Sequence, residues 1–308
     1  MRACIDIGGT KVSVSLNDAA RPRELLARRH EPTAVTGTPD AVALQCIRMV
    51  DQACAELGVD PIVVQHAAVA APGPFVLGGG LTELATPNIC GGLPGSGRQL
   101  PNDWRTALLE APLLRRFARV RVENDAVAAL EAERRWGALQ GADHCAYVTW
   151  STGVGCGLCV GGRVLRGKHG NAGHLGHTFA TDDSTAVCGC GNVGDIEALA
   201  AGNAIARRFG MPAAELFAAA RRGEVPALSI VDEISRVVGR ALYNITALLD
   251  LQRISLGGGV FLHNHDLLLP RLQAEVRGRL PTLTQGCELV VAGLGDRVGD
   301  YAAVALLD

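Results

Sequence analysis

Ile5-Asp-Ile-Gly-Gly-Thr-Lys11 is a β-type run that enters a tight glycine turn close to the first residue of the chain. The run at 11–17 is again β-type, so the segment predicts two strands joined by a short hairpin. Thr149-Trp-Ser-Thr-Gly-Val-Gly155 repeats this arrangement in the second half. Small residues in both turns leave backbone N–H groups free to bind phosphate, and two such hairpins can grip a chain of phosphates from both sides. Taken singly, either turn is equally consistent with an ordinary tight hairpin.

Around these hairpins, short apolar β-type runs alternate with longer helical patterns, which is typical of a layered α/β protein. Strands are predicted at 3–7, 11–17, 62–70, 119–122, 144–151, 156–160 and 253–256. Helices are predicted at 39–57, 102–110 and 125–136 and over much of 197–249, and a Gly/Pro-rich loop region is predicted at 71–97.

The bulk composition excludes several classes of protein. The 308 residues carry a net charge of -2 and are 48% hydrophobic, which is ample for a buried core and gives no reason to expect a nucleic-acid partner. There is no charged leader with a cleavage site and no apolar run of membrane-spanning length. We therefore expect a cytoplasmic protein without membrane association. Ten cysteines in a chain of this length do not indicate a disulfide scaffold.

The first hairpin is not a P-loop, because the G-x-x-x-x-G-K-[ST] spacing is absent and no helix is expected after it. We interpret it as a nest of backbone N–H groups. Gly8 and Gly9 let the backbone approach phosphate oxygens, Thr10 adds a hydroxyl group and Lys11 adds positive charge. Asp6, at the strand end, is placed to hold Mg²⁺ through water, since Mg²⁺ prefers one or two carboxylates together with phosphate and water.

The second hairpin and a later glycine run are assigned to the same nucleotide. In the second hairpin the candidate residues are Ser151, Thr152, Gly153 and Gly155. The later run, after an apolar strand, consists of Gly257, Gly258 and Gly259. It fits a turn against which a nucleoside can lie, and a plain loop explains it equally well.

Glu123-Asn-Asp125 ends a strand and opens a helix. Asn124 or Asp125 is a natural helix N-cap. The functional interpretation is that Asp125 is a general base, oriented by Asn124, that accepts the proton of a sugar hydroxyl. The two interpretations are compatible, because cap geometry also fixes the carboxylate.

His177, Cys188 and Cys190 form a His-x10-Cys-x-Cys array in a glycine-rich loop. Two thiolates and an imidazole suit Zn²⁺, which takes four ligands in structural sites. Asp195 is the nearest candidate for the fourth ligand. The alternative is that these are two loop thiols and a surface histidine.

Seven motifs together make the chain resemble a ROK-family sugar kinase over essentially its whole length. They are Asp6-Ile-Gly-Gly-Thr-Lys11, Ala71-Pro-Gly73, Thr86-Pro-Asn88, Glu123-Asn-Asp125, Ser151-Thr-Gly-Val-Gly155, Gly170-Asn-Ala-Gly-His-Leu-Gly-His177 and Cys188-Gly-Cys-Gly-Asn-Val-Gly-Asp-Ile-Glu197. The resemblance implies a two-lobed, actin-like ATPase (ribonuclease H-like) fold with ATP and sugar in a cleft between α/β lobes. We expect one lobe at 1–118, completed by a C-terminal helix at 293–308. The other, at 119–292, would carry the zinc-type loop and dimer-forming helices.

The resemblance also implies roles for individual residues, a structural zinc ion and a homodimer. Asp125 would be the base, with Asn88, Asn124, His177 and Glu197 touching the sugar. Two positions depart from the family pattern. His174 stands where most members carry a sugar-binding Glu, and Ala172-Gly-His-Leu-Gly-His177 resembles the bacterial N-acetylmannosamine kinases instead. Asp195 stands where the family has a third zinc cysteine.

These observations predict ATP- and Mg²⁺-dependent phosphorylation of a hexose or hexosamine at its 6-hydroxyl, with N-acetylmannosamine favoured. Glucose, N-acetylglucosamine or an aminosugar such as kanosamine are alternative substrates. A sugar-sensing regulator of the same family would need a DNA-binding segment ahead of Asp6, for which we expect no room. A dinucleotide-dependent oxidoreductase is not supported, because strand-like residues rather than a helix follow Gly153 to Gly157.

Overall fold

The computed structural model describes residues 1–93 and 99–307, so part of the predicted loop region at 71–97 lies outside the described residues. The chain divides into two compact units. The first comprises Met1–Ala132, Arg166–Ala172 and Arg297–Asp308, and the second comprises Glu133–Leu165 and Gly173–Asp296. The predicted α/β class is confirmed, since both units consist of helices packed on a mixed sheet.

The first part of the chain forms eight strands and three helices among the described residues. The strands are β1 (Arg2–Ile7), β2 (Lys11–Asn17), β3 (Leu25–Pro32), β4 (His66–Ala71), β5 (Phe75–Gly78), β6 (Leu81–Leu84), β7 (Ala107–Leu108) and β8 (Arg119–Asn124). The helices are α1 (Ala41–Glu56), α2 (Glu110–Leu114) and α3 (Asp125–Trp136).

The main sheet of the first unit has the strand order β3-β2-β1-β4-β8. Strands β1 and β2 are antiparallel, whereas β1, β4 and β8 run parallel, so the carboxyl ends of these three strands lie at one edge. Asp6 pairs with Ala70, and Ala70 pairs with Glu123 across this edge. The expected lobe boundary at residue 119 is therefore wrong, because β8 is hydrogen-bonded to β4 and the first unit continues to Ala132.

Two local predictions in this unit are also wrong. Residues 102–110 do not form a helix; Ala107–Leu108 pair with β6, and the helix begins only at Glu110. The predicted strand at 62–70 starts later, at His66, because Pro61–Val63 form a 3₁₀ turn. The Asp60 carboxylate caps that turn by accepting a hydrogen bond from the Ile62 N–H.

The second unit contains five strands and seven helices among the described residues. Its strands are β9 (Cys145–Trp150), β10 (Val154–Val160), β11 (Arg163–Val164), β12 (Arg253–Gly257) and β13 (Glu288–Val291). Its helices are α4 (Ile196–Ala200), α5 (Gly202–Phe209), α6 (Ala213–Arg221), α7 (Val225–Leu249), α8 (Gly259–Leu262), α9 (His265–Arg277) and α10 (Pro281–Thr284). The chain then ends in α11 (Val298–Ala305), which packs on β1 and β4 of the first unit.

The sheet of the second unit repeats the plan of the first. Its strand order is β11-β10-β9-β12-β13, with β9 and β10 antiparallel and β12 parallel to both of its neighbours. The long helix α7 packs against α4, α6 and α9 and buries an apolar face that includes Val231, Val238 and Leu242. Each unit thus presents one glycine hairpin followed by parallel strands. None of the described helices combines the length and apolarity needed to cross a bilayer.

Candidate active site

The first glycine hairpin is closed by its own backbone and held by a neighbouring strand. The Gly8 N–H donates to the Lys11 carbonyl at 2.8 Å, and the Thr33 hydroxyl donates to the Gly8 carbonyl at 2.6 Å. A Cβ atom on Gly9 would lie only 2.6 Å from the Cβ of Asn88. Glycine is therefore required at position 9, since the turn lies directly against a proposed sugar-binding side chain.

Beside this turn, two carboxylates lie at the carboxyl ends of parallel strands. Burial, together with the negative charges of Asp125 and Asp300, raises the pKa of Asp6 to about 7 against the opposing effect of Lys11. The protein atoms that surround the Asp125 carboxylate limit its hydration and likewise raise its pKa to about 6, although hydrogen bonds from backbone N–H groups oppose the shift. The structure thus places the predicted magnesium residue within electrostatic range of the predicted base.

Asp125 and Asn124 both act at the start of α3. The Ala126 N–H donates to Asn124 Oδ1 at 3.0 Å and to Asp125 Oδ1 at 2.7 Å. Asn124 is buried, whereas solvent reaches the Asp125 side chain. Because only one Asp125 oxygen is occupied by this bond, capping leaves the other free to accept a proton.

The residue before this pair, Glu123, belongs to an ion-pair network that the sequence analysis did not identify. Glu123 is 6% exposed and accepts hydrogen bonds from Arg121 and Arg166. Both arginines also bond to Glu131 of α3, each at 3.3 Å. The network ties β8, α3 and the segment beginning at Arg166 together directly behind Asp125. Only the Glu-Asn-Asp spacing at the strand end hinted at a role for Glu123.

The second glycine hairpin contacts a carboxylate instead of an amide. The Ser151 N–H donates to the Gly153 carbonyl at 2.9 Å, and a Cβ on Gly153 would lie 2.5 Å from Glu197 Oε2. That same oxygen accepts a hydrogen bond from the Val154 N–H at 2.9 Å. Thr152 is exposed at the tip of the turn, whereas Gly155 lies within β10, where it pairs with Thr149.

The three consecutive glycines after β12 serve different ends. A Cβ on Gly257 would lie 2.4 Å from the Tyr147 hydroxyl, and one on Gly258, whose φ is +85°, would lie 2.5 Å from the Trp150 carbonyl oxygen. These two positions are therefore glycine because β9 packs against them. At Gly259 a Cβ would meet nothing closer than 3.8 Å. Of these three glycines, only Gly259 could carry a Cβ atom at ordinary van der Waals distance from its neighbours.

The predicted zinc ligands converge in the second unit. One ligand atom from each of His177, Cys188, Cys190 and Asp195 lies within 4.8 Å of the others. His177 Nδ1 is 3.1 Å from Asp195 Oδ2 and 3.7 Å from Cys190 Sγ. Ligand atoms around a tetrahedral zinc ion lie roughly 3.3–3.8 Å apart. The distance from His177 to Cys190 fits such an ion, whereas pairs of ligand atoms that approach 4.8 Å would have to move closer to bind it.

The aspartate in this set has two separate tasks. Asp195 is fully buried, and its Oδ1 caps α4 by accepting from the Ala198 N–H at 2.7 Å, while Oδ2 faces His177. Burial opposes ionisation, but the hydrogen bonds from His177 and Ala198 outweigh it and hold the Asp195 pKa below its usual value. The same contact raises the pKa of His177. The ionised Asp195 carboxylate is therefore available as a metal ligand.

His174 and His177 stack with ring centroids 5.7 Å apart. Burial and the neighbouring His177 lower the pKa of His174, which keeps the imidazole neutral. Its Nε2 atom is buried and makes no hydrogen bond among the described residues. Cys188 Sγ is 3.7 Å from Glu197 Oε1, so the metal cluster, the two histidines and Glu197 form one contiguous site in this unit.

The predicted residues therefore form two groups. The first unit brings together Asp6, Gly8, Gly9, Thr10, Lys11, Asn88, Asn124 and Asp125. The second unit holds Ser151, Thr152, Gly153, Gly155, His174, His177, Cys188, Cys190, Asp195, Glu197, Gly257, Gly258 and Gly259.

Comparison with known proteins places these features in one family. A model of the ROK family matches residues 2–308. An N-acetylmannosamine kinase of Salmonella typhi is 34% identical over 83% of this chain and 82% of its own length. A glucokinase of Aeropyrum pernix is 30% identical over 98% of this chain and 95% of its own. Among solved structures, the ROK hexokinase of Thermus thermophilus is similar with a TM-score of 0.75 at 31% identity, covering 98% of this chain and 96% of that one.

Proposed function

This chain belongs to the ROK family, and we propose that it is a kinase that transfers the γ-phosphoryl group of ATP to the 6-hydroxyl of a hexosamine. N-acetylmannosamine is the substrate that we favour. The observation that carries the proposal is Asp125, a solvent-reached carboxylate at the start of α3 whose pKa is raised to about 6. A general base works best when its pKa lies near the operating pH, and this one keeps a free oxygen for the proton.

In the proposed reaction, Asp125 accepts the proton of the 6-hydroxyl as the sugar oxygen attacks the γ-phosphorus. The bond from the γ-phosphorus to the bridging oxygen breaks, and ADP leaves with that oxygen. Gly8 and Gly9 allow the backbone to approach the phosphates, and Lys11 adds positive charge. Mg²⁺ bound with the nucleotide would neutralise charge on the phosphates, with Asp6 holding it through water.

The side chains that we propose to contact the sugar are Asn88, Asn124, His174, His177 and Glu197. A neutral imidazole at 174 can donate or accept a hydrogen bond but brings no fixed negative charge, unlike the glutamate that most members carry there. Its buried Nε2 lacks a partner among the described residues, which supports a role in binding a polar group of the ligand. The preference for N-acetylmannosamine over glucose rests on the resemblance of the Ala172–His177 segment to the N-acetylmannosamine kinases.

The four candidate metal ligands would support the sugar site indirectly, by holding the residues that contact the sugar. His177, Cys188, Cys190 and Asp195 would hold a zinc ion, which supplies structural cross-linking of the loop. Asp195 also caps α4, and that helix carries Glu197. We propose that the cluster fixes Glu197 and His177 and takes no part in the chemical step.

A homodimer and a cytoplasmic location are part of the same proposal, and rest on the family resemblance.

The test is a coupled ADP-release assay with ATP, Mg²⁺ and a panel of N-acetylmannosamine, N-acetylglucosamine, glucose, mannose and kanosamine. We expect kcat/KM for N-acetylmannosamine to exceed that for each other sugar by about tenfold or more, as a missing or misplaced polar contact predicts. His174→Glu should reduce this preference, while His169→Glu, an exposed histidine of the preceding segment, should leave it unchanged. Strong activity on another sugar would replace the substrate. Silence across the panel would contradict the kinase assignment.

A further inference from the structure

Three loops of the first unit meet at the side chain of Asn102. Its Oδ1 accepts hydrogen bonds from the Gly91 N–H at 2.8 Å and the Trp104 N–H at 3.2 Å. Its Nδ2 donates to the Val35 carbonyl at 2.9 Å and the Ile89 carbonyl at 3.1 Å. A carboxamide offers two donors and two acceptor positions, so this side chain is fully satisfied by backbone groups.

The segments around Asn102 are packed without spare room. The Gly92 N–H donates to the Trp104 carbonyl at 2.9 Å, and the Trp104 indole N–H donates to the Gly37 carbonyl at 3.2 Å. A Cβ on Gly92 would lie 2.0 Å from the Asp103 carbonyl oxygen. Residues 89–92 are thus pressed against 102–104, and the Asn102 amide supplies four of the bonds that hold these segments and residue 35 together.

The loop held in this way begins immediately after Asn88. Upstream, the Thr86 carbonyl accepts hydrogen bonds from the Ile89 N–H at 3.0 Å and the Cys90 N–H at 2.9 Å. The Asn88 side chain lies in turn against Gly9 of the phosphate-binding hairpin. Asn88 is therefore fixed on one side by the Thr86 turn and on the other by the bonds that Asn102 makes to Ile89 and Gly91.

We propose that Asn102 is a positioning residue for sugar binding, which acts by holding the Asn88 loop in place. This inference rests on the proposed function, because it takes Asn88 to contact the sugar. Among the described residues, the Asn102 side chain bonds only to backbone groups of its own unit, so its effect on the reaction passes through Asn88. Substitution of Asn102 should therefore raise the KM for the sugar and leave the KM for ATP nearly unchanged.

The four hydrogen bonds of Asn102 require a carboxamide at position 102, because two are donated by its nitrogen and two are accepted by its oxygen. Asn102→Asp preserves shape but turns an oxygen, which carries no hydrogen, toward the carbonyls of Val35 and Ile89. We expect this variant to raise the sugar KM about tenfold and to change the ATP KM less than about twofold, since a half-buried hydrogen bond is replaced by a repulsive contact. Asn102→Ala should show the same pattern to a smaller degree.

Asn17 provides a matched control. It is a buried asparagine of the same unit whose Nδ2 donates to the Arg21, Pro22 and Glu24 carbonyls and whose Oδ1 accepts from Arg2. It holds the β2–β3 loop, at the end of β2 remote from Lys11. Asn17→Ala should lower the melting temperature comparably to Asn102→Ala but leave the sugar KM unchanged. Equal effects of the two variants on the sugar KM would overturn the proposal.

A double-mutant cycle with Asn88→Ala completes the test. If Asn102 acts through Asn88, then Asn102→Ala should raise the sugar KM in the native background and hardly change it when Asn88 is already alanine. Fully additive effects in an enzyme that phosphorylates sugar would overturn the positioning role and leave the proposed function intact. A native chain that phosphorylates no sugar would instead overturn the proposed function, and the inference with it.

Discussion

In the first glycine hairpin Gly9 lies against the amide side chain of Asn88, whereas in the second Gly153 lies against the Glu197 carboxylate. The first contact is made by Asn88 Cβ, close to the backbone, and cannot yield. The second is made by the end of a flexible side chain that also accepts a bond from Val154. The same turn thus serves a rigid contact in one unit and an adjustable one in the other.

The surroundings of the two hairpins differ in the same sense. The first lies near Asp6 and Asp125, two carboxylates whose pKa values are both raised, and these are suited to magnesium and to proton transfer. The second lies near Glu197, which borders a cluster of metal-ligand type. We propose that the first hairpin adjoins the groups that act on the proton and on magnesium, and that the second adjoins a side chain that contacts the sugar.

The largest effect should follow removal of the base. Asp125→Asn keeps an oxygen that can accept the Ala126 N–H but cannot take up a proton, so we expect kcat to fall about 10³-fold, the usual worth of a general base. Sugar binding, measured by calorimetry, should persist within about threefold, because the sugar contacts remain. Asp51→Asn, at a remote carboxylate that pairs with Arg116, is the control and should leave kcat unchanged. Near-native turnover in Asp125→Asn would remove Asp125 from the mechanism.

The same assignment predicts a pH profile. Asp125 must be ionised to accept a proton, so kcat/KM should rise with pH through about 6 and level off above it. Stability moves the other way. Because the folded pKa values of Asp6 and Asp125 lie above their ordinary values, the folded state binds more protons than the unfolded state. Stability from these groups is therefore fully present below about pH 4 and is lost as pH rises toward 7. A kcat/KM profile that does not rise through pH 6 would contradict the assignment of Asp125 as the base.

A matched pair of substitutions tests the difference between the hairpins. Gly9→Ala should lower kcat/KM about 100-fold, because the new Cβ displaces Asn88 or the turn itself, while Gly153→Ala should cost only about tenfold, since the Glu197 carboxylate can move aside. Kinetics with both substrates varied provide the measurement. Gly141→Ala, at a glycine whose φ is +72° but which has open space around it, controls for backbone strain alone. Equal losses of kcat/KM in Gly9→Ala and Gly153→Ala would contradict the inference that the contact at Gly9 is rigid and the contact at Gly153 adjustable.

The smallest effect should follow removal of the metal. Chelation, or Cys190→Ala, should lower the melting temperature by about 5 °C, on the scale of a modest change in folding free energy. It should raise the sugar KM about threefold and leave the ATP KM unchanged, because the cluster supports Glu197 and His177 only. Cys287→Ala, another half-buried thiol outside the cluster, is the control. Metal analysis that finds no zinc bound to the native protein would exclude the zinc assignment. A large loss of ATP affinity after chelation or in Cys190→Ala would contradict the proposal that the cluster supports only the sugar contacts.

The sequence predicted those parts of the molecule in which local signals and contacts agree. The helix start at Asp125 followed from a capping pattern, and α3 has the predicted limits of 125–136. The zinc-type cluster followed from ligand spacing, and its four ligand atoms converge. The family assignment is confirmed by the match over residues 2–308. The individual site roles remain predictions.

Other features depend on contacts that no local pattern contains. The helix predicted at 102–110 fails because Ala107–Leu108 pair with β6 and because Asn102 bonds to three other segments. No strand is predicted at Leu25–Pro32, because β3 is an exposed edge strand whose charged residues hide the alternation that a half-buried strand shows. The network of Glu123 and Arg166 joins positions 43 residues apart, beyond the reach of any periodicity.

The two contacts of the Asp195 carboxylate, one to the helix and one to His177, predict how the protein behaves when zinc is scarce. A third cysteine would leave its loop dependent on the ion, since a thiol caps a helix poorly. Here the Ala198 N–H and the His177 ring already hold the carboxylate in place by ordinary hydrogen bonds. The enzyme should therefore lose affinity for its sugar gradually rather than collapse when zinc is withdrawn. Such a substitution would preserve most of the loop structure when the metal is scarce.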